Sequence, residues 1–214
     1  MLEIKKRDMP DALARYKAQP GAEYDGPHFT PVKEAIRRRL LEEQGHICAY
    51  CMQRIGIDTM KVEHWRPRTQ FPELQLDHKN LLGCCMGNEG QRKSCQTCDT
   101  RKGDEHLKYS PANPDHRVES RICYLGNGKI QSDDPEFHDQ IEGVLNLNHH
   151  RLKKNRESVL IELQGQLGKK PGRRSKAEIR KLLKWYRSTN VSGCLRPFAG
   201  ALIYDLEKRL RKAN

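Results

Sequence analysis

Apolar residues along this chain recur mainly at helical spacing, with one stretch of strand spacing among them. Ile36, Leu40 and Leu41 fall on one side of an expected helix over 32–43, and Arg37, Arg38 and Arg39 take the other side. Thr30 and Pro31 read as an N-cap followed by proline at the first helical position, and Gly45 reads as the stop. Before that helix, residues 8–29 carry Pro10, Pro20, Gly21, Gly26 and Pro27, so the N-terminal arm (1–29) is expected to be mostly irregular and free to touch a partner or substrate. Met60, Val62 and Trp65 have strand character, with His64 near the strand's end and Pro67 closing it. Leu81 and Leu82 would pin the following loop to a core, and a helix is expected to open at Thr97 or Asp99 and run to His106.

Further on, residues 108–134 are rich in turn formers, and Tyr124 to Ile130 reads as a hairpin with Asn127 and Gly128 at its turn. Leu152, Val159 and Leu163 keep one face of the next helix. Ser175 and Glu178 form a capping box for a helix over 176–188, and Leu202, Leu206 and Leu210 mark a last one over 199–212. The basic stretch 165–174 is expected to be a linker or a phosphate-gripping loop. The pattern as a whole predicts an α+β chain that is mainly helical.

Charge divides the chain more sharply than periodicity does. The 214 residues include 40 Lys or Arg and 28 Asp or Glu, a net charge of +12. Residues 145–214 hold 18 basic and five acidic residues, and residues 1–144 hold 22 and 23. The entire excess therefore lies in a basic helical C-terminal region, 145–214, which suits nucleic acid or an acidic partner protein. No apolar run approaches eighteen residues, which argues against a membrane span, and the opening MLEIKKRDMP lacks the apolar core of a signal peptide, so a cytoplasmic location is expected.

Seven of the eight cysteines lie in the near-neutral part. Without an export signal, metal binding is a better reading than disulfides. Cys48 and Cys51 form one C-x2-C knuckle, Cys95 and Cys98 a second, and Cys84 and Cys85 stand between them. Four such sulfurs suit a tetrahedral structural zinc. Cys48, Cys51 and Cys98 are the firmest ligands; the fourth is Cys85, with Cys84 or Cys95 as the alternatives. Cys123 and Cys194 stand alone.

Between the knuckles lie Glu63, His64, Asp77, His78 and Asn80, and after the last one Asp99 and Lys102. Histidine titrates near neutral pH and suits a general base, while acid oxygens suit a hard cation such as Mg. Asp99 reads equally as a helix cap, Asn80 as a turn tie, His78 as an exposed residue or a phosphate contact, and Arg66 and Arg68 as phosphate grips or solvated loop charges.

The ordered series Cys48-x2-Cys51, Glu63-His64, Asn80-Leu81-Leu82, Cys84 or Cys85, and Cys98-Asp99-x2-Lys102 resembles the HNH, or ββα-metal, endonucleases. Asp99 stands where that family has Asn, and twelve residues separate Cys85 from Cys98, a longer gap than usual. The resemblance implies a zinc-stabilised ββα-metal core in residues 30–144, with His64 as base and Asn80 orienting it. Glu63 and Asp99 would hold a catalytic divalent ion, usually Mg, and Arg66, Arg68 and Lys102 would contact substrate. With Glu63-His64-Trp65-Arg66-Pro67, Cys98-Asp99-x2-Lys102-Gly103-Asp104 and the stretch from Val144 to Asn148 followed by Leu152 and Arg156, the chain is more closely similar to the PtuB-type nucleases of Septu and retron-associated anti-phage systems. That similarity implies a PtuA-type ATPase partner; for the nuclease itself DNA is the expected substrate, and no membrane is expected among its partners. The alternatives are RNA, tRNA included, or a non-catalytic zinc module that binds nucleic acid or a partner.

Overall fold

The computed structural model describes residues 1–169, 172 and 174–212. Helices α1 (Asp11–Lys17) and α2 (Thr30–Gln44) come first, then strands β1 (Met60–His64) and β2 (Leu81–Cys85) and the short helix α3 (Cys98–Lys102). Strands β3 (Cys123–Tyr124) and β4 (Ile130–Gln131), helix α4 (Pro135–Asp139), a π-helical turn over Gln140–Val144, and helices α5 (His150–Gly168), α6 (Lys176–Arg187) and α7 (Ala199–Lys212) complete the chain. The result is a mainly helical protein with two small antiparallel strand pairs, β1–β2 and β3–β4.

The N-terminal segment departs from expectation. It contains α1, whose Leu13 and Tyr16 are three residues apart and buried on one face. Tyr16 packs on Phe29 at 5.1 Å and Tyr24 packs on Phe29 at 4.6 Å between ring centroids. Aromatic burial therefore fixes a segment that its prolines and glycines mark as irregular. Helix α2 matches its pattern, burying Val32, Ile36, Leu40 and Leu41. Its stop is Gly45 in the left-handed region (φ 57°), where a side chain would also run into Leu195.

Gln44, the last residue of α2, joins that helix to the strand pair. Its Nε2 donates to the carbonyls of Ile47 and Gly83 (2.8 Å each), and its Oε1 accepts from the Gly83 amide (2.7 Å). Strand β2 thus lies beneath α2, antiparallel to β1, with Glu63 opposite Leu82 and His64 opposite Leu81. All five residues of β2 are buried, so it is a strand and not the pinned loop read from the sequence.

Helix α5 begins at His150 and runs through Gly168, so the front of the expected 165–174 linker is helical. Lys170, Pro171 and Arg173 lie outside the described residues. Arg156 of α5 is buried and donates to the carbonyls of Gly128 (2.6 Å) and Leu147 (2.7 Å). The hairpin turn can approach α5 this closely because Gly128 has φ 75° and no side chain; a Cβ there would sit 2.1 Å from the Lys153 carbonyl oxygen. The Ser175–Glu178 capping box opens α6, and α7 has the bounds its leucines predict. No helix among the described residues is long and apolar enough to cross a membrane.

Candidate functional site

The loop after α2 places the first two cysteines. Ile47 and Arg54 form an isolated antiparallel bridge, and the Met52 amide donates to the Cys48 carbonyl (3.0 Å), which closes a knuckle with both thiols inward. Cys85 arrives from the end of β2 and Cys98 from the start of α3. The sulfurs of Cys48, Cys51, Cys85 and Cys98 all lie within 4.8 Å of one another, and Cys51 and Cys85 are 3.7 Å apart. Zinc–sulfur bonds of about 2.3 Å in a tetrahedron put sulfurs about 3.8 Å apart, so the set fits a zinc-like structural ion.

Burial opposes charge on Cys48, yet hydrogen bonds from Cys51, Cys84, Cys85 and Cys98 together hold its thiol well below the usual range. Burial and the charge on Cys48 push Cys51 well above it. Of the alternatives for the fourth ligand, Cys84 is buried outside the set, and Cys95 instead accepts a hydrogen bond from Arg92 Nε (3.3 Å).

Cys98 is held in the left-handed region (φ 55°), an unusual conformation for a residue with a side chain. Its amide donates to the Leu145 carbonyl (2.9 Å), which fixes it from the C-terminal side. Asn146 then donates to the Ser94 and Gln96 carbonyls, so the Val144–Asn148 stretch braces the approach to α3.

The end of β1 brings Glu63 and His64 to the same region. Glu63 is 3 % exposed; its Oε1 accepts from the Tyr50 hydroxyl (2.8 Å) and pairs with Lys102 Nζ (2.9 Å). Burial pushes the Glu63 carboxyl well above its usual range, and the adjacent Asp99 adds to that, against the pull of Lys102. Asp99 is half-buried in the first turn of α3, and that helix has no side-chain cap bond, so Asp99 meets Glu63 without serving as the N-cap. Lys102 is 2 % exposed and also donates to the His64 carbonyl (3.1 Å). Its ammonium is engaged inside the motif, where it braces β1 against α3.

His64 is 8 % exposed, and its Nε2 lies 3.0 Å from the Gln75 carbonyl oxygen. A carbonyl oxygen only accepts, so Nε2 carries the proton and Nδ1 keeps the lone pair. Burial lowers the imidazole to about 4, against the raising effect of the Gln75 bond. His64 is therefore neutral at pH 7. Asn80 ties a turn, one of the two readings open for it. Its Oδ1 accepts from the Arg66 amide (2.8 Å), and its Nδ2 donates to the Arg66 and Leu74 carbonyls (3.0 and 3.2 Å). It closes the loop that presents the Gln75 carbonyl to His64.

Arg66 stacks over Trp65 (4.4 Å) and Phe71 (5.1 Å), and Arg68 over Tyr24 (4.8 Å). His78 is not exposed: it is buried and bonded to Glu43 (2.8 Å), which also pairs with Lys6 (2.8 Å). Tyr50, Gln75 and Tyr24 were missed. Tyr50 stands inside the first knuckle and could have been suspected there; Gln75 acts through its backbone and has no residue signature.

No family model matches the chain. It is 29 % identical over 122 residues to the Retron Vc95 putative HNH endonuclease of Vibrio cholerae serotype O1 biovar El Tor, covering 53 % of this chain and 58 % of that protein. It is 27 % identical over 152 residues to Septu protein PtuB of Bacillus thuringiensis, covering 69 % of this chain and 55 % of that one. The similarity is distant. The chain spans little more than half the length of these relatives. Together with the four-cysteine cluster, it supports a nuclease-like or metal-binding function in general terms.

Proposed function

We propose that this chain is a metal-dependent HNH-type endonuclease that hydrolyses phosphodiester bonds of nucleic acid, with DNA as its substrate. The observation that carries the reading is that Asp99 of α3 meets Glu63 at the end of β1 and that its charge also reaches His64, on a β1–β2–α3 frame whose ends are tied by four cysteines. This order of elements is that of a ββα-metal core. His64 Nδ1 takes the proton from the attacking water, and Asn80 and the Gln75 carbonyl keep that nitrogen in place.

Glu63 and Asp99 are two oxygen donors pressed together at a buried site, a donor set that suits a hard divalent cation such as Mg. Such an ion, when bound, stabilises the charge on the scissile phosphate and on the leaving oxygen. With both carboxylates ionised, Glu63, Asp99 and Lys102 carry one net negative charge, which repels a phosphodiester; a divalent ion reverses that sign. Arg66 and Arg68 flank the base and offer guanidinium groups to the nucleic-acid backbone. Attack by the water oxygen at phosphorus breaks the bond to the 3′ oxygen, which takes up a proton from solvent water, leaving a 5′-phosphate and a 3′-hydroxyl.

The biological setting proposed with it is that of an effector of a Septu- or retron-type anti-phage system acting with a PtuA-type ATPase; the retron and Septu names of the two relatives support that setting. Incubating the chain and its His64→Ala variant with plasmid DNA and Mg tests the chemistry, with the ATPase added in a parallel series. Loss of at least about a hundredfold in cleavage is expected for the variant, with its folding retained. Undiminished cleavage by His64→Ala would overturn the assignment.

A further inference from the structure

The N-terminal segment lies outside the ββα frame, yet it supplies a neighbour of the proposed base. The Tyr24 ring meets the His64 ring edge-on, with centroids 4.5 Å apart and planes at 84°. Tyr24 is 7 % exposed, and its buried hydroxyl has no hydrogen-bond partner among the described residues. The Arg68 guanidinium lies over the same ring at 4.8 Å, and its one polar contact among the described residues is a long one (3.5 Å) to the Tyr24 carbonyl.

A second orphan donor stands close by on α2. Lys33 Nζ lies 5.2 Å above the Tyr24 ring and is paired with Asp25 (2.7 Å). Arg37 is one helical turn further along and therefore on the same face of α2. Arg37 is half-buried, its Nε is buried without a partner, and no carboxylate pairs with it among the described residues. The charges of Asp25, Arg68, Arg37 and Asp99 all act on the Tyr24 hydroxyl, which puts these groups in one neighbourhood, and of the two carboxylates Asp25 is already paired with Lys33.

Leaving buried donors unmade is costly, and two of them, the Tyr24 hydroxyl and the Arg37 Nε, in one neighbourhood with Arg68 and with no carboxylate paired to either arginine among the described residues, call for an anionic acceptor. A phosphate fits. It offers several acceptor oxygens at tetrahedral angles to guanidinium and hydroxyl donors, the groups that commonly hold nucleic-acid backbones. We infer that Tyr24, Arg37 and Arg68 form a phosphate subsite, built by the N-terminal segment and α2, that holds a backbone phosphate of the nucleic acid beside His64. This rests on the nuclease reading above and adds to it a substrate contact from outside the ββα frame. Bound there, the backbone would also cover the Tyr24–His64 contact and fix the scissile group relative to the base.

The test is equilibrium binding of the full chain to a labelled double-stranded DNA oligonucleotide across a series of salt concentrations. It is read by fluorescence anisotropy, in a His64→Ala background that leaves the DNA uncut. Arg37→Gln is expected to weaken binding about tenfold and to reduce the slope of log Kd against log salt by about one. Tyr24→Phe keeps the buried ring and removes only a neutral donor; about a three- to tenfold loss with an unchanged slope is expected. A lowered unfolding midpoint with Kd and slope unmoved would mean that the two residues serve packing alone, and would overturn the subsite. If the unsubstituted chain neither binds nor cuts nucleic acid, the nuclease reading itself falls and the subsite with it.

Discussion

Single side chains decide how much charge the buried region tolerates. The Glu63–Lys102 pair is buried on both sides, so its Coulomb gain is set against the cost of taking two ions out of water. Lys102→Met removes the cation and leaves the Glu63 carboxylate in place; a loss of about 3 kcal/mol in denaturant unfolding is expected. Adding Glu63→Gln should restore most of that stability while leaving cleavage abolished, which separates folding from chemistry. His64 gives a second prediction, in pH. Its folded value of about 4 lies below the ordinary 6.5, so the unfolded chain binds the proton first. Stability from this group is present above pH 6.5 and is lost as pH falls toward 4, on the order of 3 kcal/mol in full. Comparing urea midpoints at pH 7.5 and 4.5 should show the unsubstituted chain losing more on acidification than His64→Gln.

At the scale of elements, β2 shows which cysteine faces the knuckle. Adjacent strand residues point to opposite faces, so Cys84 and Cys85 cannot both enter one tetrahedron without distortion. Cys85→Ser is expected to lose bound zinc and Cys84→Ala to keep it, as read by metal content per chain after gel filtration. The same strand shows where the sequence stops being legible. Leu81, Leu82, Gly83, Cys84 and Cys85 are all buried, so no alternation separates this strand from an apolar loop. Helix α1 is seven residues between Pro10 and the Pro20–Gly21 pair, too short for its two buried positions to outweigh those breakers. By contrast, α2, α6 and α7 were readable because each carries both a periodic face and a terminal signal. The cysteine set and the residues at the end of β1 were readable from type and spacing. Tyr24 was not, because a contact across 40 positions leaves no local pattern.

Across the whole molecule, packing and charge divide the chain differently. Buried residues from Met1 to Leu206 belong to one core, so the arm, the cysteine-bearing part and the basic third share their apolar interior. The charge does not mix in this way. Arg180, Lys181 and Lys184 are exposed on α6, while Ile179 and Tyr186 of the same helix are buried. This outward face supplies cations to a polyanion without drawing on the core. Changing all three to Gln should weaken DNA binding at low salt and lower the salt slope by up to about three, with an unfolding midpoint near that of the unsubstituted chain. An unaltered slope would assign this face to a protein partner.

The left-handed backbone at Cys98 has a consequence for what metal loss would do. A non-glycine residue in that conformation carries strain of about 1 kcal/mol or more, and persists where its surroundings enforce it. Here the enforcers are the Leu145 carbonyl and, in the zinc-loaded chain, the sulfur–metal bond. The residue one peptide further on is Asp99. Removing the ion would let Cys98 relax and turn the Asp99 carboxylate away from Glu63, long before the shared core gives way. On the proposed nuclease reading, the chain would then be a folded protein disarmed at one hinge, with metal supply deciding whether it cuts.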